Sequence, residues 1–122
     1  MSTTTTIDDV ETDTESIREL TAFQRNILVV LAEEPTYGLD IKSQMEDYYD
    51  DDVNHGRLYP NLDQLVELGL VEKGEIDKRT NEYALTEAGY AAIRDQVEWT
   101  ISKLLAGDID PETIEDMIGR PE

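Results

Sequence analysis

Four side chains of the types that read base edges fall on one line of a helix. Asn54, Arg57, Asn61 and Gln64 are spaced 3, 4 and 3 apart, which places them on a single flank. Arginine pairs bidentately with guanine in a major groove, and asparagine and glutamine pair with adenine, so this stripe could read a DNA sequence. On this stripe alone an ordinary hydrated helix face is the commoner reading, and context must shift the balance. Lys78 and Arg79 stand together between two strand-like segments, where a hairpin tip would meet phosphate or enter a minor groove. His55 is the only histidine, and with no cysteine or second histidine to join it a metal site is not expected. A phosphate or base contact suits it better. Asp50, Asp51 and Asp52 could associate loosely with potassium or magnesium, but they lack the spacing and glycine of a calcium loop. Catalysis finds no support: there is no G-x-S-x-G, no phosphate-binding glycine loop and no cysteine nucleophile. The protein is not expected to be an enzyme.

The elements that must position these residues follow from periodicity. Thr21 with Gln24 has capping-box spacing, and Phe23, Ile27, Leu28 and Leu31 continue a first helix over about 21–33. Thr36 to Gly38 reads as a turn. A second helix carries Leu39, Ile41, Met45 and Tyr48 or Tyr49 as its apolar positions. The aspartate run then belongs in a loop, because a helix C-terminus disfavours anions. Asn54 caps a third helix with Leu58, Leu62 and Leu65 as its buried stripe, and Gly69 ends it in a left-handed conformation. Pro60 falls early in this helix, where a lost amide donor disturbs it least. Residues 70–76 and 81–85 read as two strands of a hairpin, and Thr86 caps a long fourth helix over about 87–106. Asp110-Pro111 starts a fifth helix that stops at Gly119. The fold class expected is therefore mainly α with a two-stranded β-wing: a winged helix-turn-helix over 16–86 and C-terminal dimerisation helices over 87–122. Residues 1–15, rich in threonine and carboxylates, are expected to be a disordered acidic tail.

Charge sets the environment. Asp and Glu number 29 against 10 Lys and Arg, a net of −19, yet 39% of the 122 residues are apolar and fall in periodic blocks. Molar salt reconciles the two, since its Debye length of about 3 Å screens the self-repulsion. A salt-loaded cytoplasm such as that of a halophilic archaeon is the environment expected; an acidic protein of an ordinary cell is the alternative. The charge is uneven. From Val53 to Leu85 four basic residues face six acidic ones, a net of −2, whereas the other 89 residues carry −17. Disulfides are excluded by the absence of cysteine. No apolar run is long enough to span a membrane, and the N-terminus lacks a signal peptide's basic and apolar stretches, so a cytoplasmic protein without membrane partners is expected.

Three spaced motifs then carry a resemblance. Pro35-Thr36-Tyr37-Gly38 with Ile41 and Met45-Glu46 is one. His55-Gly56-Arg57-Leu58-Tyr59-Pro60-Asn61-Leu62 with Leu65, Gly69, Leu70 and Val71 is the second. Tyr83-Ala84-Leu85-Thr86 with Gly89 is the third. Together, over about 21–93, they resemble the PadR-like transcription regulators, and the acid load is similar to that of the family's haloarchaeal branch, which includes a regulator of the oxidative-stress response. The resemblance implies a homodimeric winged-helix repressor or activator, and a two-fold dimer in turn predicts a palindromic double-stranded operator. Its recognition helix would bring His55, Gly56, Tyr59 and Pro60 to the DNA alongside Asn54, Arg57, Asn61 and Gln64. Its wing would contribute Lys73, Lys78, Arg79, Thr80 and Asn81. The chain departs from the pattern at Asp63 and Gln64, where many members carry lysine or arginine, and simple electrostatic docking is weakened accordingly.

Dimerisation is also expected from the residues alone. Tyr90, Ile93, Val97, Ile101 and Leu104 recur at coiled-coil-like spacing, and Ile114, Met117 and Ile118 of the last helix extend the apolar surface. Ala88, Ala92, Trp99 and Ala106 make a second apolar face, and since the core can cover only one, the alternative is that the last helix covers the other within one chain. Trp99 is a candidate contact for a planar effector, though core packing is its commoner role. Met45 and Met117 are expected to pack and not to sense oxidants. No cofactor is expected beyond salt ions, K⁺ or Cl⁻, at the DNA or dimer interface, with cations mediating DNA binding. Two other functions compete: a winged-helix module whose acidic surface binds a basic protein, and a ligand-sensing regulator with its effector at the dimer interface.

Overall fold

A computed structural model describes residues 19–119. The expected acidic tail lies outside the described residues. The elements in order are α1 (Ala22–Glu33), β1 (Thr36–Tyr37), α2 (Gly38–Tyr49), α3 (His55–Glu67), β2 (Val71–Glu75), β3 (Asn81–Leu85), α4 (Glu87–Ala106) and α5 (Pro111–Ile118).

Local chemistry explains most boundaries. At α1 the Thr21 hydroxyl accepts from the Gln24 amide, while the Gln24 side chain accepts from the Thr21 amide, a complete capping box. Asn54, Thr86 and Asp110 cap α3, α4 and α5 through their side-chain oxygens. Asp50 adopts φ 55° and ψ 44° and terminates α2, and Gly69, at φ 80°, follows α3. The turn carrying the three aspartates is fastened by Glu46, whose carboxylate accepts from the Val53 amide and from Lys42 Nζ, both at 2.9 Å. Those two bonds hold the Glu46 carboxyl below the usual glutamate range, the Val53 bond being the larger cause.

The ribbon expected as two strands is a three-stranded antiparallel sheet of order β1-β3-β2. Thr36 and Tyr37, expected as a turn, pair with Tyr83 and Glu82. Two residues between a proline and a glycine are too short to show a strand period, but β3 offers them free edge groups to bond. The second helix also differs from expectation. Ile41 and Met45 are fully buried, Tyr49 is half-buried, and Leu39 and Tyr48 are exposed. The inward stripe runs through Gly38, Ile41 and Met45 at helical spacing, which turns Leu39 and Tyr48 outward.

One core joins α1, α2, α3 and the sheet through Phe23, Ile27, Leu28, Leu31, Ile41, Met45, Leu58, Leu62, Leu65, Leu70, Val71 and Tyr83. Each fully buried aliphatic side chain contributes about 1.5–3 kcal/mol. Burial raises the pKa of the Tyr83 phenol, and the nearby Asp63 and Tyr59 add to the effect. By contrast, Gly89 is the only buried residue in the 20 of α4, so most of that helix lies outside this core. No helix among the described residues is long and apolar enough to cross a membrane.

Candidate nucleic-acid interface

The four residues aligned by spacing do lie along one flank of α3, and that flank leans on α1. The Arg57 guanidinium lies 3.9 Å from the centroid of the Phe23 ring. Gln24, which is 5% exposed, donates through Nε2 to Asn61 Oδ1 at 3.1 Å and to Gln64 Oε1 at 3.0 Å. Asn61 Nδ2 in turn donates to the Arg57 carbonyl at 2.7 Å. Asn54 Oδ1 accepts from the Arg57 amide at 2.9 Å and is committed to the cap. Arg57 and Gln64 remain exposed, whereas Asn61 is half-buried.

The centre of the outward face is a different line. Gly56, Pro60, Asp63 and Glu67 are all exposed, at spacings 4, 3 and 4, opposite the buried Leu58, Leu62 and Leu65. This line is smooth near the helix start and acidic towards its end. Pro60 leaves the Gly56 carbonyl without its i+4 donor, and α3 nevertheless runs unbroken through it. Asp63 and Glu67 were not singled out as outward-face residues from sequence, although counting on from Gly56 and Pro60 would have found them.

On the opposite flank, His55 stacks on Tyr59 with ring centroids 5.6 Å apart and planes 20° apart. The Tyr59 ring is seated against the Cα of Gly38, where a methyl group would lie 2.8 Å from its Cε1. Tyr59 also lines an open groove with Tyr37, Leu39, Ile76, Arg79, Asn81 and Tyr83, so the start of α2, the flank of α3 and the wing share one surface. At the wing tip the Asp77 carboxylate accepts from the amides of Arg79 and Thr80 at 2.8 and 2.9 Å. This turn presents Lys78 and Arg79 to solvent. Lys73 lies 3.9 Å from Asp63, an exposed pair that contributes little to stability. Among the described residues no group of three or more His, Cys, Asp or Glu could hold a metal ion.

The C-terminal residues divide. Tyr90 and Val97 are exposed on α4, Ile101 and Leu104 are half-buried, and Met117 and Ile118 are exposed on α5. Of the other two residues expected at the seam, Ile93 is half-buried and packs against the core, and Ile114 is 6% exposed within the protomer. Trp99 is 60% exposed, with Lys103 Nζ 5.8 Å from its ring centroid.

No curated protein sequence matches the chain. The structure of H. salinarum RosR grown from NaBr is similar at a TM-score of 0.80, with 60% sequence identity over 84% of this chain and 93% of that one. The complex structure of hsRosR-S1 gives 0.81 and 59% over 84% and 92%. A transcriptional regulator from Clostridium thermocellum, at 22% identity over 69% of this chain and 85% of its own, shares the fold at a TM-score of 0.58. The profile of the transcriptional regulator PadR-like family matches residues 27–95, the span that holds β1, the recognition-helix candidate, the wing and the first half of α4. With that span and nearly three-fifths identity to RosR, the chain belongs to the PadR-like family of transcriptional regulators.

Proposed function

We propose that the chain is a homodimer that occupies a two-fold-symmetric duplex operator, with α3 in the major groove and the wing tip against phosphate or in the adjoining minor groove. One observation carries the reading. The exposed start of α3, from Asn54 to Arg57, and the exposed cations Lys78 and Arg79 belong to elements that border one surface, and that stretch is nearly neutral in a chain of −19. Tyr90, Val97, Met117 and Ile118 offer the apolar area for a second copy. Recognition helices of such a dimer would lie one DNA turn apart, about 34 Å, and would demand a palindrome.

The acidic remainder belongs to a salt-rich cytoplasm, where cations taken up between carboxylates and phosphates let the protein approach DNA. Its role is regulatory and not catalytic, and an oxidant response is the process assigned to it through its likeness to the haloarchaeal branch. Trp99 is the contact for an effector, if one acts at the dimer interface. Selection from a randomised duplex library in molar KCl, with sedimentation of the free and bound protein, tests the proposal. Enrichment of a palindrome by a species of two protomers supports it. Retention of no particular sequence would favour instead an acidic docking module for a basic protein, and a persistent monomer would refute the dimer.

A further inference from the structure

The reading polarity of α3 is fixed from outside it, by the capping box of α1. A backbone N–H can only donate, so the Thr21 amide, 3.1 Å from the Gln24 side chain, requires oxygen Oε1 on that side. The Nε2 group of Gln24 is thereby turned towards α3. Its two hydrogens are both used, on Asn61 and Gln64, and those partners must present oxygens to receive them. The Asn61 amide nitrogen then meets the Arg57 carbonyl, a group that can only accept, which agrees with the same orientation. Gln24 is buried with all three of these bonds made. Reversing any amide in the chain would set donor against donor or acceptor against acceptor, at about 1–3 kcal/mol for the buried group left unmade.

We infer that Gln24 is a positioning residue for sequence recognition, which holds the Gln64 amide with its oxygen inward and its Nε2 donor outward, and takes Asn61 out of base reading. This rests on α3 entering the major groove. Asparagine and glutamine normally read adenine by donating to N7 and accepting from N6. Asn61 has its carbonyl on Gln24 and its amino group on its own helix, so it makes no such pair. Gln64 offers a donor to the groove and keeps its oxygen on Gln24. It therefore suits guanine, whose O6 and N7 are adjacent acceptors, and it suits cytosine least, since cytosine presents only the N4 donor there. The base pair facing Gln64 is expected to rank G·C over C·G by about fivefold, the worth of one hydrogen bond.

The test measures the affinity of the full chain, in molar KCl, for a selected duplex substituted at each base pair in turn. Gln64→Ala should level the preference at one base pair, which locates it. Gln24→Glu keeps an oxygen for the Thr21 amide but offers only acceptors to α3, so Gln64 must turn its amino group inward and its oxygen outward. Preference at the same base pair should then pass from guanine to cytosine or adenine. A folded Gln24→Glu protein with unchanged preference there would overturn the inference, as would a Gln64→Ala variant that levels nothing. Side-chain amide exchange by NMR in the unmodified protein gives a second reading that needs no variant. Slow exchange at Gln24 Nε2 with fast exchange at Gln64 Nε2 is expected, and a protected Gln64 amino group would overturn the orientation. If the unmodified chain selects no sequence at all, the groove reading itself fails and the inference falls with it; selection with an unresponsive Gln24 sinks the inference alone.

Discussion

Replacing Gly89 by alanine should destabilise the protein, against the helix propensity that favours alanine. Gly89 sits in the first turn of α4, where its amide donates to the Thr86 hydroxyl at 3.0 Å. A methyl group there would overlap the Leu70 carbonyl oxygen and lie 2.7 Å from Leu85 Cδ1. The carbonyl is backbone and is already engaged, since it accepts from the Thr86 amide at 3.1 Å, while the Thr86 hydroxyl donates to the Gly69 carbonyl at 2.7 Å. Making room means parting α4 from the link between α3 and β2. The gain is about 1 kcal/mol of helix propensity. Against it stand overpacking of about 1–3 kcal/mol and the weakening of two hydrogen bonds worth about 1 kcal/mol each. The net loss is about 2 kcal/mol, or a Tm lower by roughly 5–10 °C for a chain of this size. Thermal unfolding by circular dichroism in molar KCl, at one fixed protein concentration, measures it. Gly74→Ala is the control: nothing lies within 4 Å of a methyl there, and its Tm should not fall. A Gly89→Ala protein that melts at or above the parent would refute the account of this joint.

Other outcomes follow from the same geometry. Arg57→Ala should cost about 1–3 kcal/mol of binding and relax preference at one base pair, measured by competition among substituted duplexes; equal loss on every sequence would make Arg57 a phosphate contact. Affinity for the selected duplex should persist or rise as KCl approaches molar concentration, whereas a conventional steep fall with salt, from counterion release, would exclude cation-mediated docking. Glu46 has its pKa lowered in the folded state, so its contribution is present above the unfolded glutamate value of about 4.3 and is lost as pH falls through the lower folded value. Acid titration of Tm should therefore be flatter below that pH in Glu46→Gln than in the parent, and coincident curves would remove Glu46 as the fastener of the acidic turn. Val97→Asp should shift sedimentation towards the single protomer, and a variant still wholly dimeric would place the seam elsewhere.

Much of the architecture was legible because it is written in local chemistry. Caps at Thr21, Asn54, Thr86 and Asp110 and the turn at Gly69 depend on residues within one turn of each other, and the structure has all of them. The third strand was not legible, since Thr36 and Tyr37 become a strand only by borrowing the edge of a segment more than 40 residues away. The site was half legible. Spacing set Asn54, Arg57, Asn61 and Gln64 on one flank of α3, but it could not say that α1 stands beside that flank. Gln24 looked like a cap and nothing more, because its second role needs Asn61 and Gln64 brought within 3.1 Å by tertiary packing. Likewise periodicity puts Ile93 on the face of the long helix, but that it also touches the core, and that Ile114 is buried within the protomer, depends on tertiary packing.

The sparse burial of α4 has a mechanical consequence. At 1.5 Å per residue its 20 residues form a rod of about 30 Å, gripped at one end where Gly89 meets Leu70. A pivot of 10° at that grip would swing the far end by about 5 Å, more than the 3.4 Å between neighbouring base pairs. In the proposed dimer the reach of the far end would therefore be set at the clamp, and a single added methyl group there would change it.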